Sequence, residues 1–580
     1  MQKPGKPSSF SRGRPHLSDG RPMSTIPDPM QQQKTKRGAL LHHALFHGAI
    51  LVLFALICYS NTFRVPFVFD DLDNIENNPV IRSLGNFFAN ASGYEFNGNR
   101  YVGTLSFAFN YHFGGLDVVG YHIANLAIHI VTALLLYALL RLTFRTPFFA
   151  ALPAGSQPAA LIPFFAALLF VCHPLQTEAV TYIYQRVASL ATLFYLAALV
   201  LHICWRLAYA GGKAVASPQV LIPYLLSLLC ALLAMKTKEI AFTLPLVALL
   251  YEYCFFGKPS RRLLLLLAPL AVTMLVIPLT MVDLHRPAGA ILAEAGSATR
   301  PGGDPLPRWN YLLTQFSVIV TYLRLLVLPV HQNLDYDYPL THSLLEPRAF
   351  LSLALLLAII ALALRLWRRS GASPEAGPLP RLASFGILWF FITLAVESSL
   401  VPISDFIFEH RVYLPSAGFF MAATSLLFCG AARFGAHLPA VRTIIVLLSL
   451  SALVLSAATY RRNMVWESVL SLWEDVKKKS PKKFRAHNEI GVYHAKQGRL
   501  DEAVQAFTAA VRLNRKSADA RFNLAQAYYL AGRYGEAIEQ FEAGLRLKPD
   551  EERAVVLLQE IRREMDRQAQ IETTDGEARP

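Results

Sequence analysis

The sequence predicts an all-α fold, a polytopic membrane helix bundle of about eleven spans followed by a short α-solenoid. Three observations carry this. Apolar runs of roughly twenty residues, the length a helix needs to cross a bilayer, recur through most of the chain. Only 16% of the 580 residues are charged, well under the roughly 25% of soluble domains. Near the C-terminus, NEIGVYHAKQGRLDEAVQAFTAAVRLN and FNLAQAYYLAGRYGEAIEQFEAGLRLK superpose at an offset of 34 residues.

Residues 1–38 read as a disordered basic cytoplasmic tail, rich in Pro, Ser and Gln and ending in Lys34, Lys36 and Arg37. The run at 40–60 is too long for a signal-peptide core and lacks a small-residue cleavage site, so it reads as a retained first span. The multi-span domain is placed at 39–460, with its first outer loop at 61–120. Its apolar runs lie near 40–60, 121–140, 158–172, 187–205, 219–235, 240–256, 263–282, 347–366, 383–402, 413–432 and 441–459. The basic loops at Arg141/Arg145, Arg206/Lys213, Lys258/Arg261/Arg262, Arg365–Arg381 and Arg433/Arg442 are expected on the cytoplasmic side. That holds only if the twelfth apolar stretch, 309–330 with Gln315, Arg324 and Pro329, is interfacial or re-entrant on the outer side. The C-terminal repeats then lie outside as well.

The net charge of +15 follows from this arrangement. The basic excess fixes topology and meets anionic lipid. No basic stripe interleaved with aromatics appears, so no nucleic-acid partner is expected. The six cysteines all lie in or beside apolar runs and form no CxxC pair. They read as small packing residues, without a disulfide framework or zinc site. No Walker loop, GxGxxG, GxSxG or HExxH occurs.

The 34-residue period is that of the tetratricopeptide repeat, a helix–turn–helix unit. The solenoid is placed at 461–567, with a half-repeat at 466–481, repeats at 484–517 and 518–551, and a charged capping helix at 552–567. Val469, Trp473, Val476 and Pro481 mark the half-repeat. Residues 568–580 are expected to be a disordered tail. Such repeats offer a concave surface to a peptide or protein. The first helices lack the paired Asn and Lys of a carboxylate clamp.

Four segments are more polar than bundle packing requires. FVFDDLDNIENNPVI (67–81) carries the adjacent carboxylates Asp70 and Asp71, which suit a base or a divalent cation, or equally a solvated loop. HPLQTEAVTYIYQRVASL (173–190) offers His173 and, on one helical face, Glu178, Tyr182, Gln185 and Ser189, with Arg186 beside them. AMKTKEIAFTLPL (234–246) puts Lys236, Lys238 and Glu239 at an outer junction, where a cation suits a lipid-linked phosphate or merely snorkels. ESSLVPISDFIFEHRVYLPSAGF (397–419) brings Glu397, an intramembrane acid, and the charged turn Glu409, His410 and Arg411. His122, Asn125 and His129 share one face of the second span, where interhelical hydrogen bonding is preferred over metal binding.

FVFDD, HPLQTEAVTYIYQR, MKTKE and EHRVYLPSAGF, in this order and ahead of the repeats, resemble the transmembrane and tetratricopeptide-repeat protein family. The resemblance covers roughly residues 60–550, and its Gln176–Thr177, Gln185–Arg186 and Glu397–Ser398–Ser399 details look like the bacterial branch. Eukaryotic members are protein O-mannosyltransferases of the endoplasmic reticulum. The resemblance implies a GT-C class glycosyltransferase fold and a polyprenyl-phosphate sugar as donor. It makes Asp70 and Asp71 the active-site acids, with His173, Glu178, Arg186, Lys238, Glu239, Glu409 and Arg411 at matching outer-face positions.

The chemistry expected is inverting transfer of a mannose-like hexose to a protein hydroxyl on the outer face. It needs one base, for which Asp70 or Asp71 is the candidate, and cations for the phosphate, for which Arg186, Lys238 and Arg411 are candidates. The sequence demands no cofactor, though a divalent cation would fit. The expected location is the bacterial cytoplasmic membrane. Two other readings stand beside this one, a membrane-anchored repeat scaffold and a lipid-linked sugar transporter. Asn90–Ala91–Ser92 matches a glycosylation sequon.

Overall fold

Polar punctuation decides where the apolar runs break into helices. Asp117 accepts the Val119 amide at 3.1 Å and so starts one helix, and Ser260 accepts Leu263 at 3.3 Å to start another. Pro158, Pro218 and Pro347 stand in the first turns of three more, where a missing N–H costs nothing. The computed structural model describes residues 29–89, 100–150, 152, 156–281, 298–299, 305–370, 377–399, 401–433 and 438–577. The predicted sequon at 90–92 lies outside them.

The chain divides into units 1–47 and 48–580. Of the first, only the start of α1 (Pro29–Tyr59) is described. Residues 29–38 are thus helical rather than disordered: Met, Gln, Lys and Arg are good helix formers. The second unit holds α2 (Leu84–Ala89), α3 (Tyr101–Gly114), α4 (Val118–Thr143), α5 (Gln157–Cys172), α6 (Thr177–Val180), α7 (Arg186–Ala210) and α8 (Pro218–Met235). There follow α9 (Leu244–Phe255), α10 (Arg261–Val272), α11 (Val276–Met281), α12 (Arg308–Val327), α13 (Pro347–Arg369), α14 (Leu379–Leu394), α15 (Tyr413–Arg433) and α16 (Leu438–Met464). The only described strands are a two-residue pair, Ala298–Thr299 with Pro305–Leu306, so the fold is all-α as expected.

Helix ends sort to two faces. At one, Asn463 donates to the Cys58 carbonyl at 2.9 Å, Thr459 to Cys172 at 2.6 Å, Trp389 to Leu414 at 3.0 Å, and the Val102 amide to Lys236 at 2.9 Å. These bonds gather the C-terminal ends of α1, α5, α8, α14 and α16 with the N-terminal ends of α3 and α15. At the other face, Thr143 meets the Tyr251 hydroxyl at 2.9 Å, Arg206 grips Glu252 at 2.7 and 2.9 Å, and Arg381 donates to Ser370 at 2.7 Å. Gly386 and Gly418 let α14 and α15 touch backbone to backbone, since a Cβ on either would stand 2.5 Å from the other's carbonyl oxygen.

Among the described residues, eight helices are long and apolar enough to cross a membrane, nine if Gln157–Cys172 and the Pro174–Val180 piece bent 56° from it count as one. The count differs from eleven because Leu244–Phe255 and Leu379–Leu394 are short helices, only the His43–Tyr59 part of α1 is counted as apolar helix, α5 is broken, and Arg308–Val327 is added. Leu244–Phe255 starts late because Glu239–Thr243 winds as a 3-10 helix.

α12 is one of the eight by length and composition, whereas the sequence reading keeps it at the interface. Its contacts place both its ends at one face. Near its start the Tyr311 hydroxyl donates to the Glu397 carbonyl, just past α14, at 2.7 Å. Gln315 donates to Phe406 at 3.0 Å and Tyr322 to Phe408 at 3.0 Å. At its end the Leu326 carbonyl meets His173 Nε2, just past α5, at 3.2 Å. It lies across the helix ends.

The solenoid follows as α17 (Val469–Lys479), α18 (Phe484–Lys496), α19 (Leu500–Leu513), α20 (Ala518–Leu530), α21 (Tyr534–Leu545) and α22 (Glu552–Glu577). Each repeat turns through a left-handed glycine, Gly498 at φ +72° and Gly532 at φ +73°. α22 continues past the predicted cap boundary at 567 and ends at Glu577, just after the poor helix formers Thr573, Thr574, Asp575 and Gly576. Val65, Val68 and Tyr182 pack with Trp466, Trp473 and Ile490, so the first loop and the solenoid share one core.

Candidate active site at the helix-end face

The first loop arrives on a strained backbone. Phe69 sits at φ +53°, the left-handed region that a bulky side chain avoids. Its ring stands edge-on to Trp473 at 5.9 Å and beneath the Arg485 guanidinium at 5.0 Å. These contacts, both from the solenoid, hold the turn that aims the next two residues in different directions.

Asp71 points inward and is fully buried. One oxygen accepts the Val68 amide at 2.9 Å and the other the Tyr184 amide at 2.7 Å. Burial pushes its carboxyl well above the ordinary range, although both amides favour the charged form. Asp71 is a clamp between the first loop and the start of α7. Asp70 is only partly buried. The Tyr182 hydroxyl accepts its amide at 2.9 Å and bonds its carboxylate. Burial raises the Asp70 carboxyl, against the pull of Tyr182, Arg485 and Arg100. Of the pair, Asp70 alone combines access with the raised basicity a general base needs.

The predicted single helical face of Glu178, Tyr182, Gln185 and Ser189 does not form. Residues 174–190 break into a 3-10 turn, α6, a second 3-10 turn and the start of α7. Pro174 cannot continue α5, and α6 ends at Val180, before α7 begins at Arg186. Glu178 instead reaches the fourth motif. It accepts the Glu409 amide at 2.6 Å and the His410 amide at 3.3 Å, and pairs with His410 Nδ1 at 2.9 Å. Glu409 accepts from Gln332 at 2.7 Å, the Asn333 amide at 2.7 Å and the Tyr336 hydroxyl at 2.6 Å.

The three predicted phosphate cations are all enclosed. Arg186, 1% exposed, donates to Asn125 at 2.6 Å, Asn110 at 2.5 Å, Ser106 at 3.2 Å and Tyr121 at 3.0 Å, with its plane over Phe107. Lys238, 4% exposed, pairs with Glu397 at 2.8 Å. Arg411, 5% exposed, donates to the Phe406 and Asp405 carbonyls at 3.2 and 3.0 Å. All three are engaged with protein groups at this face.

His173 accepts the Leu175 amide through Nδ1 at 3.2 Å, so Nε2 carries the proton given to Leu326. On α4, His122 bonds the Val65 carbonyl at 2.9 Å, His129 bonds Tyr413 at 2.7 Å, and Asn125 donates to Val180 and Ile183 at 3.1 and 3.3 Å. All three side chains are thus engaged with the first loop, the 174–185 segment and α15. No group of three His, Cys, Asp or Glu side chains able to hold a metal occurs among the described residues.

The sequence reading missed two cations. Arg100 donates to the Tyr184 hydroxyl at 2.9 Å and lies 3.6 Å from Glu239. Burial opposes the Glu239 charge, but Arg100 overcomes it and holds that carboxyl below its ordinary value. Arg485, on the first repeat helix, pairs with Asp335 at 3.2 Å and Asp405 at 3.5 Å. Both cations act on Asp70 electrostatically. Arg485 and Phe69 also line a cavity of about 400 Å³ with Asn488, Glu489, Lys516 and Asp519. The four sequence motifs therefore converge on one layer of paired charges, roofed by the solenoid.

This fold and site define a multi-pass helical membrane protein whose C-terminal tetratricopeptide-type solenoid is built into its polar face. The family model of the tetratricopeptide repeat matches residues 472–515 and 488–552. Over most of its length the chain is similar to proteins named protein O-mannosyl-transferases. It is 25% identical over 483 residues to F38B6.6 of Caenorhabditis elegans, covering 80% of this chain and 62% of that protein. It is 23% identical over 602 residues to Tmtc3 of Drosophila melanogaster, covering 91% and 62%, and 26% identical over 524 residues to human TMTC1, covering 82% and 56%. The chain spans roughly three-fifths of the length of these curated relatives.

Proposed function

We propose that the chain is a membrane glycosyltransferase. It moves a mannose-like hexose from a polyprenyl-phosphate donor to a protein hydroxyl, with inversion, and the repeats receive the acceptor. The observation that carries this reading is Asp70, a partly accessible acid of raised pKa that two cations act on and that follows Phe69, a residue lining the solenoid cavity. Similarity to the O-mannosyl-transferases supports the reaction class.

In this reading Asp70 takes the proton of the acceptor hydroxyl as its oxygen bonds to the sugar C1. The C1–O bond to phosphate breaks, and its electron pair leaves on the phosphate oxygen as polyprenyl phosphate. Phosphate is a good leaving group, so no general acid is required. Asp71 positions Asp70, and the Tyr182 hydroxyl orients it. A divalent cation could be bound with the donor, and no step depends on one.

The basic residues Arg141, Arg206, Arg368 and Arg369 lie at the face opposite Asp70, at the ends of α4, α7 and α13. By the positive-inside rule that face is cytoplasmic, and the Asp70 face with the repeats is outside. We assign the chain to the bacterial cytoplasmic membrane.

The test is transfer of radiolabelled sugar from polyprenyl phosphate to a hydroxyl-bearing polypeptide by the purified protein. Wild type should transfer and Asp70→Asn should not. Equal activity would remove Asp70 from the chemistry.

A further inference from the structure

The leaving phosphate gains one negative charge as the sugar departs, so this site needs a cation that the donor can reach. Arg186, Lys238 and Arg411 are at most 5% exposed and each is engaged by a protein partner. Arg100 differs. Its side chain is 28% exposed, and its sole ion pair among the described contacts is the single 3.6 Å approach to Glu239, itself 26% exposed. That is a long contact for charged groups, which close to about 2.7–2.9 Å when they bond well. Arg100 Nε is buried and has no hydrogen-bond partner among the described residues.

Its location suits a lipid. The Val102 amide, two residues on, is bonded to the Lys236 carbonyl at the end of α8. That end of a span is the depth of lipid phosphates. α8 turns Leu221, Ile222, Leu225, Leu226, Leu229 and Leu232 outward, each 38–55% exposed, along the helix whose end bonds Val102. An isoprenoid chain lying on those side chains would bring its phosphate to the guanidinium.

We propose that Arg100, with the Tyr184 hydroxyl, is the seat for the phosphate of the polyisoprenyl carrier, and that Glu239 holds Arg100 in place until the lipid displaces it. This rests on the glycosyltransferase reading for its substrate. Arg100 touches the leaving group, Tyr184 orients Arg100, and Glu239 is a competitor for the same donors.

The test uses the full chain in phosphatidylcholine nanodiscs, with donor KM and direct binding of labelled polyprenyl phosphate both measured. Arg100→Ala should raise KM and weaken binding at least tenfold, and Arg100→Lys should restore part of both. Glu239→Gln should move the other way, tightening binding severalfold. If Arg100 merely served a structural ion pair, the two variants would fail alike, which would overturn the proposal. Unlabelled polyprenyl phosphate should displace the label, and equal displacement by phosphatidylglycerol would overturn a seat specific to the carrier. Wild type that binds the carrier but transfers nothing would sink the glycosyltransferase reading alone. Wild type that transfers, with Arg100→Ala unchanged in KM and binding, would sink the seat alone.

Discussion

Lys238 and Glu397 lie 2.8 Å apart, both almost wholly enclosed, and tie the turn after α8 to the end of α14. Each neutralises a charge that the membrane domain could not otherwise bury. Removing one leaves the other stranded, which in such pairs costs about 3–5 kcal/mol. Lys238→Ala should therefore lower the melting temperature in detergent sharply. Lys238→Met/Glu397→Leu should recover much of the loss, and a double variant as unstable as the single one would show that the pair matters for another reason.

Asp70 and Asp71 should separate under mutation. Asp70→Asn should fold normally and lose transfer. Asp71→Asn replaces an acceptor of two amides by a group with one acceptor oxygen, so one buried N–H loses its partner at a cost of about 1–3 kcal/mol. Its first readout is stability, and activity should return in whatever fraction remains folded.

The pH dependence has a definite sign. Burial raises the Asp70 carboxyl above the ordinary value of about 3.9. A base works ionised, so kcat/KM should rise with pH through a midpoint displaced upward from that value. In stability the raised carboxyls of Asp70 and Asp71 act the other way: folded chains hold these protons to higher pH than unfolded ones, so their contribution is full below the unfolded value and is lost as pH rises through the folded one. A pH–rate profile with an acid limb at or below 3.9 would contradict the burial of Asp70.

In the solenoid, Gly491 faces the Phe507 ring so closely that a Cβ would stand 2.6 Å from it. Gly491→Ala should force the two helices of the first repeat apart and cost about 1–3 kcal/mol. Because that repeat carries Arg485 over Phe69, transfer should fall along with repeat stability. Loss of repeat stability with transfer intact would uncouple the solenoid from the acid.

Much of this was readable locally. Asp70, Glu178, Lys238, Glu397 and Arg411 stand out because charge beside long apolar runs is expensive and demands a reason. The 34-residue period exposes the repeats, and the histidines of α4 fall on one face, as their spacing requires. What stayed hidden was pairing at a distance. Arg100, Asp335 and Arg485 sit in stretches that look like ordinary polar loops or repeat surface, and Asp405, though inside the fourth motif, gives no sign there of its partner. Arg485 meets Asp335 across 150 positions, and Glu178 meets the Glu409 amide across 231. No periodicity records such a match. For the same reason the sequence could nominate Arg186 as a phosphate ligand but could not show that Asn125, Asn110 and Tyr121 already occupy it.

The junction of the first loop with the solenoid sets an order of events during synthesis. Asn463 bonds the Cys58 carbonyl, 405 positions earlier, and Trp473 supports Phe69. Closing contacts so distant in the chain is slow, and nothing rewards it until both ends exist. Asp70 leaves the ribosome among the earliest residues of the membrane domain, yet the groups that hold its turn are made after the last span. A nascent chain therefore carries an unformed centre through nearly all of its insertion, and acquires a competent one only when the half-repeat docks.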